Sequence, residues 1–182
     1  MNTFTQVIIG MLMLILVPQT VYAESQPVAG ESARPLQAVE IVDARARRLK
    51  AFLQTYDSPM TSDAEHFVAE ADRLSLDWKL VAAIAGVEST FGRHVPRNSY
   101  NGWGWGIFTG ASDGIHFASW ADGITTVSEG LKNNYVAKGA TSIEQIGRIY
   151  AASPTWSAKV RFFMQKLDEF EPSGAAHLEV TI

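Results

Sequence analysis

The chain has 182 residues, with 15 Lys and Arg against 19 Asp and Glu, a net formal charge of −4, no cysteine and 47% hydrophobic residues. The acidic balance argues against a general nucleic-acid binder, and the hydrophobic fraction argues against a disordered chain. Without cysteine there is no disulfide scaffold, Cys-ligated zinc site, thiol nucleophile or acylated lipoprotein.

Residues 1–23 carry no charged side chain, and Val7 to Val17 form an unbroken apolar run. That run is short for a bilayer-spanning helix, which needs about 20 residues. Val21-Tyr22-Ala23 before Glu24 matches a secretory cleavage pattern, so residues 1–23 are expected to be a signal peptide. An uncleaved anchor is the alternative, because the segment has no Lys or Arg ahead of its apolar run. Both readings place the rest outside the cytoplasm, secreted or in the cell envelope. Residues 24–38, with two Pro, a Gly and two Ser, read as a flexible spacer. The domain is expected over 39–170, with a frayed tail over 171–182.

From about Val39 to Tyr56, Val42, Ala46, Leu49, Leu53 and Tyr56 recur at helical spacing. Arg45, Arg47, Arg48 and Lys50 decorate this helix as a solvated face or as a holder of anionic polymer. Ser62 with Glu65 has the capping-box pattern, predicting a helix to about Leu74. Asp77 is placed to cap the next helix. Residues 80–87 (LVAAIAGV) have no polar side chain, which predicts a helix buried in the middle of the domain. Gly92 is placed to end it.

Residues 92–119 hold six glycines with Pro96, Asn98 and Asn101, and predict loop and short strand. Helical pattern resumes with the stripe Ile124, Val127, Leu131 and Tyr135, stopped by Gly139. Thr141 and Glu144 form a second capping-box pattern ahead of Ile146 and Tyr150. Ser153 and Pro154 suit the start of a final helix, with the stripe Val160, Phe163, Met164 and Leu167. The expected architecture is mainly α (α+β), about six helices around a buried central helix with a small irregular or β lobe.

Glu88 follows Val81, Ile84 and Ala85 at i+7, i+4 and i+3, so its carboxylate is expected to project from an apolar helix face. Desolvation there would raise its pKa, as a general acid requires. A structural ion pair or a solvent-facing helix end is the alternative. Asn101-Gly102-Trp103-Gly104-Trp105-Gly106 interleaves aromatic rings, which stack on sugar faces, with residues that let backbone come close. Core packing is the alternative for each Trp. A buried carboxyl opening on such a cleft suggests glycoside chemistry. No G-x-S-x-G or H-E-x-x-H is present, and the four histidines show no ligand spacing. No metal or cofactor is expected.

The stretch LDWKLVAAIAGVESTFG (76–92) resembles the first motif of the lysozyme-like superfamily, which includes the soluble lytic transglycosylases and the bacterial glucosaminidases. NSYNGWGWGIF, FASWADGITTVSEGLKNNY and IYAASPTWSAKVRFFMQKL resemble successive segments of the glucosaminidase branch, so the likeness covers roughly residues 60–170. The resemblance implies a lysozyme-like fold, with Glu88 as the catalytic acid and Tyr150 facing it. It implies that Ser89 contacts substrate; Asn101, Trp103 and Trp105 are expected to bind it on the chemistry of their side chains, hydrogen bonding for the amide and stacking for the indoles. Two features depart from the family. The transglycosylase Gly-Leu-Met-Gln turn is replaced by Gly102–Gly106, and no motif places a second acid. Asp113 is carried into the site by position only, and Asp122 is the other candidate.

The implied activity is an endo-acting N-acetylglucosaminidase on the β-1,4-linked amino-sugar backbone of peptidoglycan. The alternatives are a lytic transglycosylase leaving anhydro ends, or a non-catalytic glycan-binding surface module. The expected partner is the glycan itself, with no nucleic acid and no obligate protein partner, and the chain is expected to be a monomer.

Overall fold

Six α-helices make up the regular structure of the described residues: α1 (Ala44–Thr55), α2 (Ala64–Leu74), α3 (Leu80–Ser89), α4 (Trp120–Asn134), α5 (Ile143–Tyr150) and α6 (Trp156–Glu169). They come from a computed structural model that describes residues 43–106 and 114–172, all within one compact unit, Glu40–Ile182. The expected signal segment, the spacer, Asp113 and the tail beyond residue 172 lie outside the described residues. Among the described residues, no helix is long and apolar enough to cross a membrane.

The fold is mainly α, built around α3 as its sequence requires. Every residue from Leu80 to Gly86 is buried. A helix without a polar stripe has no face to offer water, so its neighbours must enclose it. α6 packs most extensively on α3, and α4 also contacts it; α1 packs on α2, and α2 on α4. The amphipathic stripes supply the covering side chains: Leu49 and Leu53 from α1, Phe67 from α2, Ile124, Val127 and Leu131 from α4, and Val160 and Leu167 from α6. Each such burial contributes about 1.5–3 kcal/mol.

Several helix ends differ from their sequence patterns. Ser62 and Glu65 form no capping box. Ser62 lies inside a turn of 3-10 helix, Thr61–Asp63, and its hydroxyl donates to Asp63. A capping residue needs extended backbone, which that turn denies it. The second box forms one residue late, between Ser142 and Gln145, because Ser142 is the residue with extended backbone. α6 starts at Trp156, two residues after Pro154. Asp77 is not the N-cap of α3, which is Lys79; it stands two residues earlier and accepts from the Lys79 amide at 3.0 Å, closing the turn that leads into the helix.

α3 ends before Gly92, at Thr90, which takes the left-handed conformation with φ 52°. Phe91 follows at φ 56°, an uncommon state for a bulky residue. Its ring is fully buried against Phe52, Tyr56 and Phe163, and the Ser58 hydroxyl donates to its carbonyl at 2.8 Å. Packing therefore holds a reversal that local preference disfavours.

The lobe after α3 contains no strand among its described residues, 92–106 and 114–119. Asn98, Tyr100, Gly104 and Gly106 all have positive φ, and such backbone cannot extend into a ladder. Single bonds join its two described halves instead: Phe117 N–H to the Ser99 carbonyl and Ile115 N–H to the Trp105 carbonyl.

Candidate active site

Glu88 occupies the last turn of α3, where the buried helix meets solvent. The residue is exposed, unlike Val81, Ile84 and Ala85 on the same face, so it is not the buried side chain that its spacing implied. The helix surfaces there because the chain reverses at Thr90 and Phe91. Protein atoms still remove enough water from the carboxyl to raise its pKa above the ordinary glutamate value. The hydrogen bond from Trp156 and the positive charge of Lys159 oppose that shift. The bond runs from Trp156 Nε1–H to Glu88 Oε1 at 2.6 Å.

Tyr150 stands at the end of α5 beside this pair. Its ring stacks on Trp156 with centroids 4.9 Å apart and planes 25° from parallel. Its hydroxyl donates to the Trp103 carbonyl at 2.6 Å. Burial raises the phenol pKa well above its usual value, and the negative charge of Glu88 raises it further. Tyr150 therefore stays a neutral phenol and cannot act as a base near neutral pH. The structure thus places both Glu88 and Tyr150 against Trp156, the first by hydrogen bond and the second by ring stacking.

The Gly-rich lobe divides its two tryptophans. Trp103 is 0% exposed and lies in the core, with Nε1–H donating to the Val81 carbonyl at 2.9 Å. Phe67, Phe117 and Trp120 surround it. It offers no face to a ligand, which corrects its expected place in a substrate cleft. Its ring is enclosed because it caps the wall of α3 that Val81 presents. Trp105 is half-buried and sits against Tyr135 and Tyr150, at 6.2 and 5.9 Å between ring centroids. Trp105, Tyr135, Tyr150 and Trp156 form a continuous aromatic group leading to Glu88.

Ser89 and Asn101 hold the backbone together. The buried Ser89 hydroxyl lies 2.7 Å from the Gly102 carbonyl and accepts from the Gly92 amide at 2.8 Å. Asn101 donates to the carbonyls of Trp105 and Ile115 and accepts from the Trp105 amide. Both side chains are buried and already hydrogen-bonded, so neither presents a polar group to substrate in this arrangement. They set the shape of the lobe that carries Trp105.

Asp122 is also engaged. Its carboxylate accepts from the Ala118 amide at 2.9 Å, while Ser119 caps α4 by accepting from the Asp122 amide. Asp113 lies outside the described residues. Among the described residues, no group of three or more His, Asp or Glu is arranged to hold a metal ion.

Trp156 is the site residue that sequence spacing did not single out, and Tyr135 was read from its spacing only as part of an apolar stripe. Trp156 begins a helix whose apolar stripe is read from Val160 onward, so its contact with Glu88, 68 residues away, leaves no local periodic signal. Lys159 is three residues further on and shares its helix face. A scan against protein-family models and a search of curated proteins each returned no match to this chain.

Proposed function

We propose that the chain is a glycosidase acting on the β-1,4-linked amino-sugar backbone of peptidoglycan, with Glu88 as general acid and then base. The observation that carries this reading is Glu88 itself: a carboxyl with a raised pKa, held by an indole N–H, beside a neutral tyrosine and an aromatic wall. The motif likeness at 76–92 and at 149–167 supports the same two residues, Glu88 and Tyr150.

In this mechanism Glu88 donates its proton to the glycosidic oxygen as the C–O bond breaks, and the leaving sugar departs as an alcohol. The cation-like sugar needs electron density at C1. With only Glu88 placed as an acid and the Asp122 carboxylate accepting from the Ala118 amide, the substrate's own N-acetyl oxygen supplies it in this reading, forming a ring. Deprotonated Glu88 then takes a proton from the group that reopens that ring. Water gives hydrolysis; the sugar's own hydroxyl gives an anhydro end, as in a lytic transglycosylase. Trp105 and Tyr135 offer rings for stacking on sugar faces.

A non-catalytic glycan-binding module is the second reading. One observation favours it: the polar groups of Ser89 and Asn101 are used internally, leaving few to orient a reacting sugar. Digestion of purified sacculi by the wild-type chain and by Glu88→Gln separates the readings. The glycosidase releases muropeptides whose masses report the bond cut, and Glu88→Gln lowers the rate about 10²–10⁴-fold with binding retained. Binding of sacculi without release by either protein would establish the module.

A further inference from the structure

We infer that Trp156 is a positioning residue for Glu88: its indole N–H holds Oε1 and leaves Oε2 to carry the transferable proton. The orientation follows from geometry alone; its consequence for catalysis rests on the reading of Glu88 as the acid.

An indole nitrogen donates and never accepts, so the 2.6 Å contact can only run from Trp156 to a carboxyl lone pair. A carboxyl with one oxygen already accepting takes its proton more readily on the other. The carboxyl is thereby held in one orientation before substrate arrives.

The indole cannot turn away. Trp156 is 3% exposed, and one face is stacked on Tyr150. On α5, Gly147 leaves the room: a Cβ there would stand 2.9 Å from Trp156 Cε3 and would also collide with Ser157 Oγ. A buried N–H left without an acceptor is destabilising, so the packing that fixes Trp156 also makes Glu88 its required partner. Side chains locked by their surroundings in this way are what keep a reacting group in register.

The titratable neighbours come from each packed element. Lys159 on α6 favours the carboxylate, Tyr150 on α5 is a neutral phenol, and Tyr135 after α4 is also held neutral by burial. Against desolvation, then, the indole N–H is the group whose removal changes the balance at Glu88 without changing local charge.

The test replaces Trp156 in the full chain with 3-benzothienylalanine, which keeps the ring shape and lacks the N–H, and separately with Phe. Carbon-13 NMR follows the Glu88 carboxyl through a pH titration, and muropeptide release from sacculi is measured across the same range. The titration midpoint is expected to rise by about one pH unit or more, the scale of one hydrogen bond to a charged group. The upper limb of kcat/KM should move with it while KM changes little. An unmoved midpoint in a folded benzothienylalanine variant overturns the inference, whatever happens to stability. A raised midpoint in a protein whose wild type releases nothing upholds the positioning and overturns the glycosidase reading.

Discussion

Tyr150 and Trp103 are joined by a 2.6 Å hydrogen bond from the phenol to a main-chain carbonyl, 47 residues apart in sequence. The bond makes one side chain serve two places. Its ring stacks on the tryptophan that holds Glu88, and its hydroxyl ties the Gly-rich lobe to α5. Trp103 in turn anchors the same lobe to α3 through the Val81 carbonyl. The position of Trp105 is thus set from two helices.

Tyr150→Phe keeps the stack and removes the tie. The Trp103 carbonyl loses its donor, so stability should fall by about 1–2 kcal/mol in chemical unfolding. Hydrogen exchange at residues 101–106 should accelerate, with little change at α1 and α2. Uniform acceleration across the chain would mean that the bond does not act locally.

Trp103 and Trp105 should respond differently to truncation. Trp103→Ala opens a core cavity and should cost about 3–5 kcal/mol. Trp105→Ala, at a half-buried position, should cost less and weaken glycan binding. Thermal melts and binding isotherms on the same preparations check this, and equal losses of stability would deny Trp105 a cleft role.

Gly130 on α4 lies directly under Trp105, and a Cβ there would collide with the indole Cζ2. Gly130→Ala gains about 1 kcal/mol of helix propensity, but it must displace Trp105, at about 1–3 kcal/mol. Net destabilisation with a shifted tryptophan emission is expected. A more stable protein with unchanged emission would show that Trp105 is not seated there.

Glu88 and Glu70 should give opposite pH signatures. Burial raises the Glu88 pKa, so its contribution to stability is full below the ordinary carboxyl range and is lost as pH rises through its folded pKa. Glu88→Gln should therefore gain stability over wild type as pH rises through that window. Glu70 is held below its ordinary value by Arg73, at 2.6 Å. Its stabilisation is present above the unfolded pKa and is lost as pH falls through the folded one. Glu70→Gln should be the weaker protein near neutrality, with the gap closing in acid. Melting temperatures across pH test both signs at once.

The helical body was legible in the residue pattern because burial and periodicity are local records of the core. Residues 80–87 have no polar side chain, and α3 is enclosed from Leu80 to Gly86; the stripes bury Ile124, Val127 and Leu131 from α4 and Val160 and Leu167 from α6, while Tyr135, Phe163 and Met164 are half-buried at their edge. Helix ends were less legible. A cap depends on which residue happens to take extended backbone, and that choice is made by the incoming chain at Ser142 and Ser62. The site was half-legible. Glu88 and Tyr150 stood out by motif, yet only the fold sets the exposure of Glu88, because it depends on the left-handed reversal at Thr90 and Phe91. Sequence gave Trp103 and Trp105 the same alternation of glycine and indole. Tertiary packing gave one to the core and one to the aromatic wall, since only one of them can reach the Val81 carbonyl. The Trp156 contact with Glu88 was outside the reach of any local pattern: it joins two helix ends that meet only when α6 packs on α3.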